Sequence, residues 1–327
     1  MKDIGLAGLP ASGKSTLFTA LTRTGAGGGR SNQAVVEVLD PRVPVLAERE
    51  RSEKIVYARV RFVDVPGGLN PQAIATLREM DALAIVLGAF IPQADPAADL
   101  ATVRSELLVA DLAIVEPGLE RAERKAKGRD EEAIADAGLL RRVRELLEAD
   151  RLPREEAWSA ADLKALRGYG LLTLKPWIVV ANVEEGAGLP DGLPEGAVAV
   201  SAAIEVEAAA LDPEEGAELL REFGVDEPGL DKVIAASYAA LDLITFLTAR
   251  ESEARAWEVR RGAPAPEAAG LIHTDLERGF IRAEVVAYDD LVAAGSFRAA
   301  KEQGKVRTEG KDYEVREGDV LNVLFSV

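Results

Sequence analysis

Residues 8–15 read Gly8-Leu9-Pro10-Ala11-Ser12-Gly13-Lys14-Ser15 and satisfy the pattern G-x-x-x-x-G-K-[ST]. The chemistry such a stretch performs is the holding of a polyphosphate. Gly8 and Gly13 let the backbone curl so that successive amides point inward, and the helix that follows adds favourable partial charge at its N-terminus. Lys14 is placed to reach β- and γ-phosphates, and the Ser15 hydroxyl to ligate Mg²⁺. Leu9, Pro10, Ala11, Ser12 and Thr16 complete the candidate cradle.

Three further stretches lie downstream in a fixed order. Asp64-Val65-Pro66-Gly67 closes an apolar run; in a phosphate-loop site the Asp holds the Mg²⁺ shell and the Gly amide senses the γ-phosphate. Asn182-Val183-Glu184-Glu185 follows the run WIVVA, where guanine-selective proteins of this kind carry N-K-x-D. Here Val183 stands at the Lys position and Glu185 at the Asp position, and the longer side chain disturbs the fit to guanine. Ser201-Ala202-Ala203 offers backbone and small side chains beside a base. Taken singly, each of these reads equally well as a turn or the polar end of a strand. Their order along one chain is the signal.

Such residues need strands that end together and helices that begin there. DIGLA (3–7) is a short strand, and Leu17, Phe18 and Leu21 mark an amphipathic helix after Lys14. VVEVL (35–39) and IVYARVRFVDV (55–65) have the β-branched content of a strand pair. LAIVLGAF (83–90), WIVVAN (177–182) and AVAVSA (197–202) are continuous apolar runs suited to a parallel sheet buried on both faces. The fold class expected is α/β.

Between Asp95 and Lys164 the texture is charged and rich in Ala and Leu. Leu100, Val103, Leu107, Leu108, Leu112, Val115 and Leu119 form one helical stripe; Ile134, Leu139, Leu140, Val143, Leu146 and Leu147 form another. An inserted antiparallel helical hairpin follows, with its first helix kinked or interrupted at Pro117-Gly118. From residue 242 short strands and turns take over, and the terminal run VLNVLFSV is expected to close a small mixed sheet. The domains expected are 1–94 and 168–241 for the two parts of the α/β domain, 95–167 for the hairpin and 242–327 for the C-terminal domain.

Composition narrows the classes. The 327 residues are 48% apolar, enough for two or three cores. A net charge of −17 argues against coating bare DNA by charge alone. The absence of cysteine removes disulfides and thiolate chemistry, and the single histidine, His273, removes any multi-His metal cage. Neither a signal peptide nor a spanning segment is read, so no membrane role and a cytoplasmic location are expected.

With the four motifs placed, the chain resembles the YchF, or Obg-like ATPase, family. The resemblance rests on GLPASGKSTLFTALT, VVEVLDPRV, FVDVPG, LKPWIVVANVEE, EPGLDKVI and the run AGLIHTDLERGFIRAEVVAYDDL with GKDYEVREGDVLNVLFSV. It implies a P-loop NTPase G-domain with an inserted antiparallel helical hairpin, and a C-terminal α+β ubiquitin-like (β-grasp) TGS domain. It also implies ATP preferred over GTP, Mg²⁺ as cofactor and association with ribosomes. By this match Ala11 to Thr16 hold phosphates, Ser15 binds Mg²⁺ and the Val183 region meets the purine.

Departures from the family pattern concern the cutting of the phosphate. The family's first switch carries a threonine where this chain reads GAGGGRSNQAVV, between Thr24 and the strand, and the long glycine-rich second switch is missing between DVPGGLN and PQAIATLREMDAL. The loop FIPQADPAADL lacks the histidine that family members often carry. Firm nucleotide binding with slow hydrolysis is therefore expected, and no catalytic residue is assigned. The alternative is a hydrolytically inactive scaffold stabilised by nucleotide. Arg121, Arg124, Lys125, Lys127, Arg129, Arg141, Arg142 and Arg144 on the hairpin, with Lys301, Lys305, Arg307 and Lys311, are the candidate contacts to rRNA; a solvated charged face is the competing reading. A monomer is expected.

Overall fold

The structure is a computed structural model that describes residues 1–24, 32–128 and 130–326. In chain order its first elements are β1 (Lys2–Ala7), α1 (Lys14–Thr24), β2 (Gln33–Val38), α2 (Arg42–Glu50), β3 (Ile55–Val56), β4 (Ala58–Asp64), α3 (Pro71–Glu79) and β5 (Ala82–Ala89). Then come α4 (Pro96–Ala126), α5 (Glu131–Glu148), α6 (Ala160–Leu166), β6 (Trp177–Val183), β7 (Val198–Val200), α7 (Ala202–Ala208), α8 (Pro213–Glu222) and α9 (Gly229–Ala240). The C-terminal elements are β8 (Leu243–Ala249), β9 (Ala254–Arg260), α10 (Ala265–Ile272), α11 (Thr274–Arg278), β10 (Phe280–Ala287), α12 (Tyr288–Ala294), α13 (Phe297–Glu302), β11 (Arg307–Glu309) and β12 (Asp319–Phe325).

The chain divides into two compact units, one of residues 2–35 and 61–240, the other of Met1, 36–60 and 241–327. The larger unit is an α/β domain whose sheet runs β2-β4-β1-β5-β6-β7. β1, β5, β6 and β7 are mutually parallel neighbours. Ile4, Leu6, Leu83, Ile85 and Leu87 are almost wholly buried, as strands covered by helices on both faces must be. Such a sheet ends in a row of strand C-termini, and the first of these leads into the loop 8–13.

The inserted hairpin is α4 and α5. Asp95 caps α4, accepting from Ala98 N at 3.0 Å, and Asp130 caps α5 through Glu132 N and Ala133 N. Val103, Leu107, Val115 and Leu119 face inward from α4; Leu140, Val143 and Leu147 do so from α5. Of the kink or interruption expected at Pro117-Gly118, the interruption is absent: α4 continues through Pro117 to Ala126. The bond Pro117 cannot donate is outweighed by packing around it: Val115 and Leu119 are buried, and a side chain at Gly118 would come within 2.9 Å of the Tyr169 ring. Ile134, assigned to the inner stripe, is 52% exposed, while Ala133 and Ala137 take the inner positions.

The smaller unit has the ubiquitin-like β-grasp order, with its sheet running β11-β10-β12-β8-β9-β3. The terminal strand β12 completes a mixed sheet from its middle, parallel to β8 and antiparallel to β10. Its apolar residues Leu321 and Val323 meet Phe246, Val285 and Trp257 in the core. Residues 36–60 belong here too: Ile55 and Val56 pair with Ala254 and Arg255, and Phe297 N donates to Glu50 Oε1 at 2.5 Å. Arg42 donates to Asp40 and reaches Glu317 at 2.5 Å, which raises its pKa further still. Among the described residues the 311–315 run KDYEV makes one isolated bridge, Pro264 to Glu314. His273 accepts from Asp275 N at 3.2 Å and so caps α11.

Candidate functional site

The loop between β1 and α1 is shaped by positive backbone angles. Gly8 has φ of 150°, Gly13 of 86° and Ala11 of 63°. At Gly8 a Cβ would lie 2.3 Å from the Val86 carbonyl oxygen, and at Gly13 2.0 Å from Asn182 Nδ2, so neither position admits a side chain in this geometry. Gly88, in β5, lets Ser12 approach; a Cβ there would stand 3.4 Å from Ser12 Cα. An isolated glycine inside an apolar strand pattern was the sequence signal for that close approach.

Lys14 lies inside this curl, 8% exposed. Its ammonium donates to the carbonyls of Gly8 at 3.0 Å and Leu9 at 2.7 Å, and to Ser12 Oγ at 3.5 Å. Burial lowers its pKa, partly opposed by the Asp64 charge. Leu9 is half-buried, and Pro10, Ala11, Ser15 and Thr16 are exposed along the open side.

Asp64 ends β4 opposite α1. Its Oδ2 accepts from Ser15 Oγ at 3.4 Å, and its buried Oδ1 has no hydrogen-bond partner among the described residues. A hydroxyl facing a carboxylate with a free oxygen suits a hard, oxygen-seeking cation. No cluster of three or more His, Cys, Asp or Glu side chains exists among the described residues, so further ligands would come from water or phosphate. After Asp64 the chain turns at Gly67 and Gly68, with φ of 87° and 71°. Asn70 then caps α3, accepting from Ala73 N at 2.9 Å while donating to the Gly67 carbonyl at 3.1 Å. A Cβ on Gly68 would touch the Pro10 ring, which brings this turn against the loop.

Asn182, at the end of β6, joins two of the stretches that sequence order linked. Its Nδ2 donates to the Ser12 carbonyl at 3.3 Å, and its Oδ1 accepts from Ala202 N at 3.0 Å. Beside it opens a cleft of about 450 Å³ lined by Val183, Leu189, Ser201, Ile204, Glu205 and Val225 among others. Ser201 Oγ is buried without a partner among the described residues. Glu205, absent from the sequence reading, accepts from Gly229 N at 2.5 Å; its burial raises its pKa. Ala202 is buried, Ala203 exposed. Glu185 is exposed, one residue before Gly186, which lines the cleft.

The basic residues separate into two groups. Arg141, Arg142 and Arg144 are engaged by Glu123, Glu156 and Glu148. Lys301, Lys305 and Arg307 are likewise paired with Glu284, Asp290 and Glu309. Arg121, Arg124, Lys125 and Lys127 at the hairpin tip, and Lys311, are exposed and without an ion-pair partner among the described residues. Arg129, Ser31 and most of the 24–34 segment lie outside the described residues, and the side chain of Thr24 with them. No helix among the described residues is long and apolar enough to cross a membrane.

A strand, a glycine-bounded loop holding a buried lysine, a helix, and an Asp-Gly turn on the neighbouring strand together define a P-loop NTPase fold. Ribosome-binding ATPase YchF of Haemophilus influenzae is 40% identical over 363 aligned positions, covering 99% of both chains. The protein of the same name in Bacillus subtilis is 38% identical, with 99% of each chain covered. The chain belongs to the YchF family. A family model, YchF-GTPase_C, described as "Protein of unknown function (DUF933)", matches residues 243–326. The solved structure of the Schizosaccharomyces pombe YchF GTPase superposes with a TM-score of 0.87 at 28% identity, covering 99% of this chain and 97% of that one. The alignment of 363 positions against 327 residues means that the H. influenzae relative carries segments this chain lacks.

Proposed function

We propose that the protein is an ATP-selective, Mg²⁺-dependent switch that binds nucleotide firmly, hydrolyses it slowly and docks on the ribosome. The observation that carries this reading is the pairing of Ser15 with the half-free Asp64 carboxylate at the mouth of a loop that holds Lys14. Mg²⁺ fits that donor set: Ser15 and Asp64 would hold it, and it would neutralise phosphate charge. Lys14, drawn now toward carbonyl oxygens, would turn to phosphate oxygens, and the amides of residues 9–16 would complete the cradle. The purine would enter the cleft between Val183 and Ser201–Ala203, with Glu185 in place of the Asp that favours guanine.

Slow turnover follows from the turn after Gly67. Only Gly68 and Leu69 separate Gly67 from the Asn70 cap of α3, which leaves little chain to bring a water-orienting group over the γ-phosphate. Because phosphoryl transfer depends on positioning and charge stabilisation, such a loss reduces the rate by roughly 10³ or more. The relatives' printed name, and the four unpaired cations at the hairpin tip, support the ribosome as partner. The same short turn favours a second reading, a scaffold whose nucleotide is never cut. Parallel ATP and GTP titrations of wild type and Glu185→Asp, followed by single-turnover hydrolysis with and without ribosomes, test the proposal. Tighter ATP binding in wild type, a shift toward GTP in Glu185→Asp and a slow but ribosome-sensitive rate are expected. A fast intrinsic rate refutes slow hydrolysis, and no cleavage even with ribosomes favours the scaffold.

A further inference from the structure

The C-terminal end of α3, the middle of α4 and the 170–175 segment that leads into β6 share one buried polar knot. Arg78, in the last turn of α3, donates through Nη1 to Asp111 Oδ1 at 2.6 Å and to the Gly170 carbonyl at 3.0 Å, and through Nη2 to the Ala110 carbonyl at 2.8 Å. Asp111, on α4, is 0% exposed. It also accepts from Leu172 N at 3.1 Å, Thr173 N at 2.8 Å and Thr173 Oγ1 at 2.7 Å. Lys175 adds a fourth tie by donating to the Met80 carbonyl, the C-cap of α3, at 2.5 Å. Gly170, with φ of 57°, lets the return segment come close enough that a Cβ there would lie 3.4 Å from Arg78 Cβ.

Both ends of α3 are therefore fixed to something else. At its start Asn70 is bonded to the Gly67 carbonyl and to Ala73 N, so the helix follows the Asp-Gly turn that faces the phosphate loop. At its end, Arg78 and Asp111 cannot part without leaving a buried charge unpaired. Asp111 in turn binds α4 to the 172–173 segment, and Leu77 of α3 is wholly buried in the adjoining core. A displacement of the turn is thus carried by a rigid nine-residue helix into the middle of α4 and the 170–173 segment bonded to it.

We propose that this knot is a latch through which α3 sets the tilt of the helical hairpin according to the occupant of the phosphate loop. The inference rests on the nucleotide-binding reading given above. Nothing in it requires ribosomes. From Asp111 to the tip at Lys127 the helix extends about 24 Å. With α4 pivoting at Pro96, about 22 Å from Asp111 and about 46 Å from Lys127, a 1–2 Å shift of α3, the scale at which packed helices move, becomes about 2–4 Å at the tip. Arg78, Asp111 and Thr173 act as positioning residues.

The absence of native cysteine makes the test direct. Exposed Glu132 on α5 and exposed Glu207 on α7 are replaced, Glu132→Cys and Glu207→Cys, in the full chain and spin-labelled. Binding of Mg-ADP and of a non-hydrolysable Mg-ATP analogue is first established by calorimetry, and the inter-label distance is then measured in both states. A difference of about 2–4 Å is expected, reduced by at least half in Arg78→Lys, which keeps the charge but loses the fork to Ala110 and Gly170. Should Arg78→Lys fail to fold, Lys175→Met, which cuts only the tie to Met80, is judged by the same criterion. Equal distances in a protein that binds both nucleotides overturn the latch alone, as does a shift that the variants leave intact. No binding of either nucleotide removes the trigger and overturns the latch together with the reading beneath it.

Discussion

Replacing Gly13 by Ala is expected to damage the loop and the base-side strand together, because one atom connects them. Gly13 sits at φ of 86°, where an L-residue is strained by about 1–2 kcal/mol. The new Cβ would fall 2.0 Å from Asn182 Nδ2, so Asn182 must swing away. It then gives up its bonds to the Ser12 carbonyl and from Ala202 N, each contributing about 1 kcal/mol. The sum is about 3–4 kcal/mol of stability, read as a lowered urea midpoint. With the loop displaced, ATP affinity is expected to fall by at least about 30-fold, equivalent to roughly 2 kcal/mol. The same substitution at Gly138 is the control, since that glycine lies inside α5 with nothing within 4 Å of its would-be Cβ. Gly138→Ala should stabilise by about 0.5–1 kcal/mol through helix propensity. A Gly13→Ala protein with wild-type midpoint and wild-type affinity would refute the reasoning from backbone geometry.

Glu205 gives a pH signature: its folded pKa is raised by burial, so its contribution to stability is fully present below the ordinary Glu range and is lost as pH rises through the raised value. The stability of wild type relative to Glu205→Gln, from urea unfolding across pH 4 to 8, should therefore decline over that interval; a constant difference contradicts it. Replacing the unpaired cations Arg121, Arg124 and Lys125 together by Gln should weaken ribosome co-sedimentation and lower the log–log salt slope by about 3, whereas an unchanged slope places the contact elsewhere.

The phosphate loop was legible because its residues are contiguous: the glycines, Lys14 and Ser15 carry their geometry in their spacing. The parallel strands announced themselves as unbroken apolar runs, and the hairpin through its 3.6-residue stripes. What stayed hidden depends on partners distant in the chain. The run IVYARVRFVDV reads as one strand, yet Ile55 and Val56 pair with β9 while β4 begins at Ala58; neither half differs in composition. Pro117 signals a helix break locally, but the burial of Val115 and Leu119 overrides it. Arg78 and Asp111 are ordinary charged residues in sequence, and only the fold makes them a buried pair. The basic residues of the hairpin looked alike until their carboxylate neighbours were in place, which left Arg121, Arg124, Lys125 and Lys127 without an ion-pair partner among the described residues.

The curl around Lys14, with Ser15 and Asp64 at its mouth, is proposed to grip a purine triphosphate with Mg²⁺. Calorimetric titration of Mg-ATP into the purified full chain tests it most directly. One nucleotide per chain, with affinity lost when Mg²⁺ is chelated, is the expected result. No detectable binding of ATP, ADP, GTP or GDP in magnesium buffer would contradict it.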